Sequence, residues 1–250
     1  MTIIIDECAV HYEKYGKGPV VLFLHGWGDS LKTFRDLSDN LKKHYTIMTL
    51  DLLGFGESDS PKETYSLEKY AMFVKQFLEK TDNNPYAIIG HSNGGAIAIR
   101  GVSSGILSCE KLILIASSGV RSTYNKRKNF LRASAKAAKL MTMVLPESTQ
   151  MKIKRKVYKK LGSDLFVAEH LQDTFKKVVS EDVLHDAAMI IQPTLLIYGS
   201  ADHATPVKYG EMFAKQIENS DLKIIDGADH FLHHTHGEKV NKLVLDFLDR

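Results

Sequence analysis

The sequence predicts an α/β fold: a mostly parallel eight-stranded sheet with helices on both faces. Two observations predict it. Short β-branched runs alternate with amphipathic stretches along most of the chain, and strands that alternate with helices build a parallel sheet covered on both sides. Several of the runs, such as Val20-Val21-Leu22-Phe23-Leu24, are apolar without interruption, as suits a strand buried on both faces.

The elements follow in order. Ile3–Ile5 and Cys8–Tyr15 read as strands, the second ended by Gly16-Lys17-Gly18-Pro19, and together they suit an antiparallel edge. Val20–Leu24 is the third strand. Asp29 or Ser30 is placed to cap a helix reaching about Lys43, with Leu31, Phe34, Leu37 and Leu41 on one stripe. Tyr45–Leu50 is a strand. Ser66–Lys80 is a helix capped by Ser66, with Tyr70, Phe73, Val74 and Phe77 inward. Tyr86–Ile89 is a strand, Asn93–Ser104 a helix of small residues, and Leu112–Ala116 a strand. Thr194–Tyr198 and Leu222–Ile225 are the last strands, followed by helices over Val207–Ile217 and Gly237–Leu248. Residues 119–188 break the rhythm. They hold no convincing strand and read as helices inserted between two strands, leaving 1–118 and 189–250 as one interrupted core.

Composition removes several classes. The 250 residues are 44% hydrophobic and 25% charged, near the globular average and unlike a disordered, collagenous or coiled-coil chain. A formal net charge of +3 makes no case for a nucleic-acid binder. The only cysteines, Cys8 and Cys109, form no disulfide framework. The start, Met1-Thr2-Ile3-Ile4-Ile5-Asp6-Glu7, lacks a basic n-region, and no run approaches the roughly 18–20 apolar residues of a membrane span. The expectation is a cytoplasmic protein with no integral membrane segment.

Gly90-His91-Ser92-Asn93-Gly94 follows a strand and opens a helix. This is GxSxG, a sharp strand-to-helix turn that projects the Ser92 hydroxyl from the sheet. Gly90 and Gly94 are expected where the turn leaves no room for side chains. A serine hydroxyl needs a base to take its proton. Gly227-Ala228-Asp229-His230-Phe231 follows the last strand and Gly199-Ser200-Ala201-Asp202 the one before it, both at the strand ends where parallel sheets gather ligands. His230 is preferred as base over His203, His233, His234 and His236 because it sits directly on the post-strand loop. Asp202 is preferred as acid over Asp226 and Asp229. Asp229 adjoins His230, so its side chain points elsewhere. An oxyanion would need two aimed N–H groups, and the backbone N–H of Asn93 and of Trp27, in His25-Gly26-Trp27-Gly28, are the candidates. His25, Gly26, His91, Phe231, Met141 and Met143 are candidates for lining the substrate pocket.

With these motifs, and with Asp51-Leu52-Leu53-Gly54-Phe55-Gly56-Glu57-Ser58-Asp59 after the fourth strand, the chain resembles the α/β-hydrolase superfamily over nearly its whole length. The order Ser92, Asp202, His230 is the order of that fold. The resemblance implies a serine hydrolase that cleaves a carboxylic ester or related small acyl compound and uses no cofactor. It also implies that residues 119–188 are a lid. Within the family, a carbon–carbon bond hydrolase on vinylogous diketones is the alternative, with Arg121 a candidate for its carboxylate. A hydrolase-fold binding protein with slow turnover is another.

Charge is unevenly spread. Residues 121–180 carry 15 Lys+Arg and 4 Asp+Glu, a net +11, so the remainder stands at −8. The lysine-rich helices read first as a solvated face whose stems cover apolar surface. The alternative is an acidic partner or anionic surface, a reading that the resemblance to carrier-protein methyl esterases, in Trp27, also allows. Met141, Met143, Val144, Leu145, Met151 and Phe166 could give the insertion an apolar underside. His230, His233, His234 and His236 do not have the spacing of a metal site.

Overall fold

The computed structural model describes residues 1–121 and 168–250. Eight strands form one sheet in the order β1-β2-β4-β3-β5-β6-β7-β8. They are β1 (Thr2–Ile5), β2 (Cys8–Gly16), β3 (Val20–Leu24), β4 (Thr46–Leu50), β5 (Ala87–His91), β6 (Lys111–Ile115), β7 (Thr194–Gly199) and β8 (Ser220–Ile225). β1 pairs antiparallel with β2, and β2 with β4. Every other neighbouring pair is parallel. The expected antiparallel edge is therefore present.

The described helices are α1 (Arg35–Leu41), α2 (Leu67–Lys80), α3 (Asn93–Ser103), α4 (Gln172–Ser180), α5 (Val207–Gln216), α6 (Leu232–Thr235) and α7 (Gly237–Leu248). They bury two hydrophobic layers, one on each face of the sheet. Leu22, Leu24, Ile88, Leu112, Leu114, Leu196 and Tyr198 face the layer formed with Tyr70, Phe73 and Phe77 of α2 and Ile97 of α3. Their neighbours Val21, Phe23, Ala87, Ile89, Ile113, Ile115, Leu195 and Ile197 face the layer with Leu37, Leu41, Val240, Val244 and Phe247. Successive side chains on a strand point to opposite faces, and here both faces are apolar. That is why these strands lack polar alternation.

Two details depart from the sequence reading. The helix after β3 begins only at Arg35, behind a 3-10 turn at Leu31–Phe34, and Ser30 makes no side-chain cap. Asp51 does that work from a distance: its Oδ1 accepts the Leu31 N–H at 2.7 Å. The short helix α6 is the other. The Asp229 carboxylate accepts from Phe231 N–H at 3.0 Å and Thr235 Oγ1 at 3.2 Å, closing the turn before α7 begins. The Ser66 cap stands as read, accepting the Lys69 N–H at 3.1 Å.

Most of the 119–188 insertion, including Met141 and Met143, the other apolar candidates up to Phe166 and the densest lysine clusters, lies outside the described residues. Its described end is tied to loops of the sheet. His170 Nε2–H donates to Gly54 O at 3.0 Å, and Tyr65 N–H donates to Thr174 Oγ1 at 3.1 Å. Arg121 N–H meets Asp182 Oδ2 at 2.7 Å. Among the described residues no helix is long and apolar enough to cross a membrane.

Candidate active site

Parallel register brings the loops together. Leu24 lies beside Gly90, His91 beside Ile115, Ile115 beside Ile197, and Gly199 beside Ile225. The segments after β3, β5, β6, β7 and β8 therefore leave the sheet along one edge, where ligands collect in such folds.

Ser92 stands at the turn between β5 and α3 with φ 50° and ψ −114°. A non-glycine residue there carries strain on the order of 1–3 kcal/mol, which surrounding packing must hold. That packing leaves no space for flanking side chains. A Cβ on Gly94 would stand 2.0 Å from Leu24 O, and one on Gly90 would stand 2.6 Å from Gly95 Cα. The glycines are required by close approach of backbone, as the motif predicts, and not by unusual dihedrals of their own.

Three side chains, Ser92, His230 and Asp202, form one line of contacts. Its hydroxyl faces His230 Nε2 at 3.0 Å. His230 Nδ1–H donates to Asp202 Oδ2 at 2.8 Å. Asp202 is buried and its carboxylate is fully served. Oδ1 accepts the N–H groups of Ala204 at 2.7 Å and Thr205 at 2.9 Å, and Oδ2 also accepts the Thr205 hydroxyl at 2.7 Å. Burial pushes this carboxyl up, but the hydrogen bonds from His230 and Thr205 outweigh it and hold Asp202 below its ordinary value. The two loops are pressed together as well: Ala201 N–H donates to Ala228 O at 2.9 Å, and Gly199 has no room for a Cβ against that carbonyl.

The competing residues are engaged elsewhere. Asp226 accepts from Ser200 Oγ, and Asp229 caps α6. His233 and His234 both hydrogen-bond Thr33 Oγ1 at 3.0 Å. His236 meets Thr235 Oγ1, and His203 is exposed. Among the described residues no group of His, Cys, Asp and Glu is arranged to hold a metal ion.

The loop after β3 lies against the Ser92 turn. A Cβ on Gly26 would stand 3.3 Å from Ser92 Cβ. Among the described residues neither Trp27 N–H nor Asn93 N–H donates to a backbone carbonyl. The Trp27 ring packs on Phe55 at 4.9 Å and on Phe175 of α4 at 5.1 Å between centroids. His25 is placed differently from a pocket-lining residue. It is fully buried; Nδ1–H donates to Gly26 O at 2.8 Å and Nε2 accepts the Leu52 N–H at 3.0 Å. Burial lowers its pKa, so it is a neutral strut of the loop. His91 is likewise interior. Its Nε2–H donates to His230 O at 3.0 Å. Phe231, 46% exposed, stands beside both rings.

A family model described as alpha/beta hydrolase fold matches residues 19–166, more than half of the chain. The chain belongs to the alpha/beta hydrolase family. This hydrolase is 27% identical to the AB hydrolase superfamily protein YisY of Bacillus subtilis, over 97% of its own length and 96% of the relative's. It is 25% identical to the 2-hydroxy-6-oxononadienedioate/2-hydroxy-6-oxononatrienedioate hydrolase of Paraburkholderia xenovorans, over 97% and 91%. Among solved structures, the esterase EaEST from Exiguobacterium antarcticum superposes with a TM-score of 0.77 at 21% identity, covering 99% of this chain and 98% of that one.

Two residues of the hydrolase site have roles that a motif search misses. Thr205 touches both Asp202 and His230; its only sequence signal is the Asp-x-x-Thr spacing of a side-chain-closed turn. Asp51 is the other. It is buried and accepts from Leu31 N–H, Glu57 N–H and His11 Nδ1–H, which ties the loops after β3 and β4 to β2. Its segment, Asp51 to Asp59, stands out in the sequence, but nothing local marks its partners Leu31 and His11, which are distant along the chain.

Proposed function

We propose that the chain is a serine hydrolase that cleaves a small carboxylic ester or related acyl compound through an acyl-enzyme. One observation carries this reading: the unbroken contact Ser92 Oγ to His230 Nε2 to Asp202 Oδ2, at 3.0 Å and 2.8 Å, on the turn of an alpha/beta hydrolase.

His230 takes the Ser92 proton as Oγ attacks the carbonyl carbon. Asp202 keeps the Nδ1–H tautomer and stabilises the imidazolium. The N–H groups of Trp27 and Asn93 receive the oxyanion. His230 then protonates the leaving alcohol and activates the water that hydrolyses the acyl-enzyme. The Trp27 ring, Gly26 and Phe231 line the approach to Ser92, and residues 119–188 act as lid. The tied end of that insertion, with Phe175 against Trp27, supports this assignment.

Ser92→Ala is expected to abolish both p-nitrophenyl acetate turnover and labelling by a fluorophosphonate probe. Retention of both overturns the proposal. A carbon–carbon bond hydrolase is the second reading, favoured by the likeness to the 2-hydroxy-6-oxononadienedioate hydrolase. An ester panel run beside a vinylogous diketone with a terminal carboxylate decides between them: turnover of the diketone at the higher kcat/KM selects the second.

A further inference from the structure

The Thr205 side chain does more than close a turn. Its backbone N–H bonds Asp202 Oδ1, and any residue other than proline supplies that bond. Its hydroxyl has three neighbours: Asp202 Oδ2 at 2.7 Å, Ala116 O at 3.0 Å and His230 Nδ1 at 3.1 Å. The residue is 3% exposed, so water does not compete for these contacts.

The hydroxyl has one proton. Asp202 Oδ2 and Ala116 O are both acceptors only, so it serves one of them at a time. The carboxylate is the charged partner and the nearer one, and charge-assisted bonds are the stronger. The contact to His230 Nδ1 is longer, and the Nδ1 proton is already committed to Oδ2 at 2.8 Å. The dominant role of the hydroxyl is therefore donation to the oxygen that the imidazole uses.

We propose that Thr205 is a positioning residue of the Ser92–His230–Asp202 system, whose hydroxyl holds the Asp202 carboxylate in line and moderates how strongly it draws the His230 proton. The inference rests on the triad reading above. Its direction follows from charge. Each donor on Oδ2 spreads the carboxylate charge and weakens its pull on the imidazolium. With the Thr205 donor gone, Asp202 holds the imidazolium more strongly, and the pH profile of the reaction moves upward. It also loses the bond that keeps Oδ2 aimed at Nδ1. Other groups around His230 do not mask the effect. Ser92 and His91 face it from the β5–α3 turn, and Phe231 from its own loop. His91 and His233, the two other imidazoles that feel His230, are held neutral by burial, so Asp202 is the only charge hydrogen-bonded to the His230 side chain among the described residues.

The test uses the full chain, with p-nitrophenyl acetate as probe and rates normalised to the fraction labelled by a fluorophosphonate. Thr205→Val keeps the volume and removes the hydroxyl. It is expected to lower kcat about tenfold with KM within about twofold, and to raise the apparent pKa of kcat/KM by about half a unit to one unit. Thr205→Ser is expected to restore both. A Thr205→Val enzyme with unchanged kcat and pKa overturns the proposal. So does a Thr205→Ser enzyme as impaired as Thr205→Val, since that makes shape and not the hydroxyl the cause. Ser92→Ala, measured alongside, separates the two levels: turnover surviving there removes the triad reading, whereas an inactive Ser92→Ala with an unshifted Thr205→Val removes the role of Thr205 alone.

Discussion

Asp202, Asp226 and Asp229 lie within one loop pair, yet only Asp202 reaches His230. Removing its charge leaves the imidazole in the wrong tautomer, so Asp202→Asn is expected to lower kcat on p-nitrophenyl acetate by about 10³–10⁴-fold. Asp226→Asn and Asp229→Asn are expected to stay within about threefold of wild type. An equal loss at Asp226 or Asp229 would sink the assignment of the acid. Gly94 makes a second point about single positions. Its missing side chain lets α3 lie 2.0 Å, in Cβ terms, from Leu24 O. That neighbour is backbone and cannot turn aside. Gly94→Ala is expected to lower the thermal midpoint by several degrees and to reduce fluorophosphonate labelling, because Ser92 shares the displaced turn.

The segment running from the His230 loop into α6 is packed on interior imidazoles. His91 and His233 have ring centroids 4.5 Å apart, and both rings are buried. Burial pushes His91 down to about 3 and His233 down to about 2. Both are neutral in the folded chain, while in the unfolded chain they take up protons below about pH 6.5. The unfolded state then binds more protons, so stability falls as pH drops below about 6.5 and continues falling toward the folded values. The slope for each ring is on the order of 1.4 kcal/mol per pH unit where that ring alone is linked. Urea midpoints measured from pH 7 to pH 4 are expected to fall, and His233→Gln is expected to make the fall shallower. An identical slope in the variant would remove His233 from the linkage. α2 offers a contrast with no charge chemistry in it. Ser66 accepts the Lys69 N–H at its first turn, and Ser66→Ala is expected to cost about 1 kcal/mol in urea unfolding. A variant as stable as wild type would show that bond to be replaced by water without loss.

The described part of the molecule is one sheet between two apolar layers, and neither layer can stand without the strands they share. Ile88 and Ile89 are adjacent on β5 and face opposite layers. Ile88→Ala and Ile89→Ala are each expected to cost about 2–5 kcal/mol and to shift the same unfolding transition. Trp27 fluorescence and far-UV circular dichroism should report coincident midpoints in both variants. Separate transitions for the two would mean that the layers unfold independently.

The α/β class, the antiparallel edge and nearly every strand and helix of the core could be read from the chain, because each rests on local periodicity. The Ser92 turn was legible for the same reason: its glycines are a local record of a crowded turn. His230 and Asp202 were legible through their place after the last two strands, a rule of parallel sheets rather than a property of either residue. What the chain does not spell out is pairwise contact at long separation. Thr205 beside His230, Asp51 beneath Leu31, His25 turned inward and His91 on the His230 carbonyl all depend on which loops the register of β3, β5, β6, β7 and β8 brings to one edge. The sequence alone determined the order of elements and the residue types of the candidate site, through backbone sterics and hydrophobic alternation acting over a few residues. The tertiary structure decided which histidine meets Ser92 and which aspartate meets that histidine, because hydrogen bonds select partners within about 3 Å and only the assembled sheet sets distances that short.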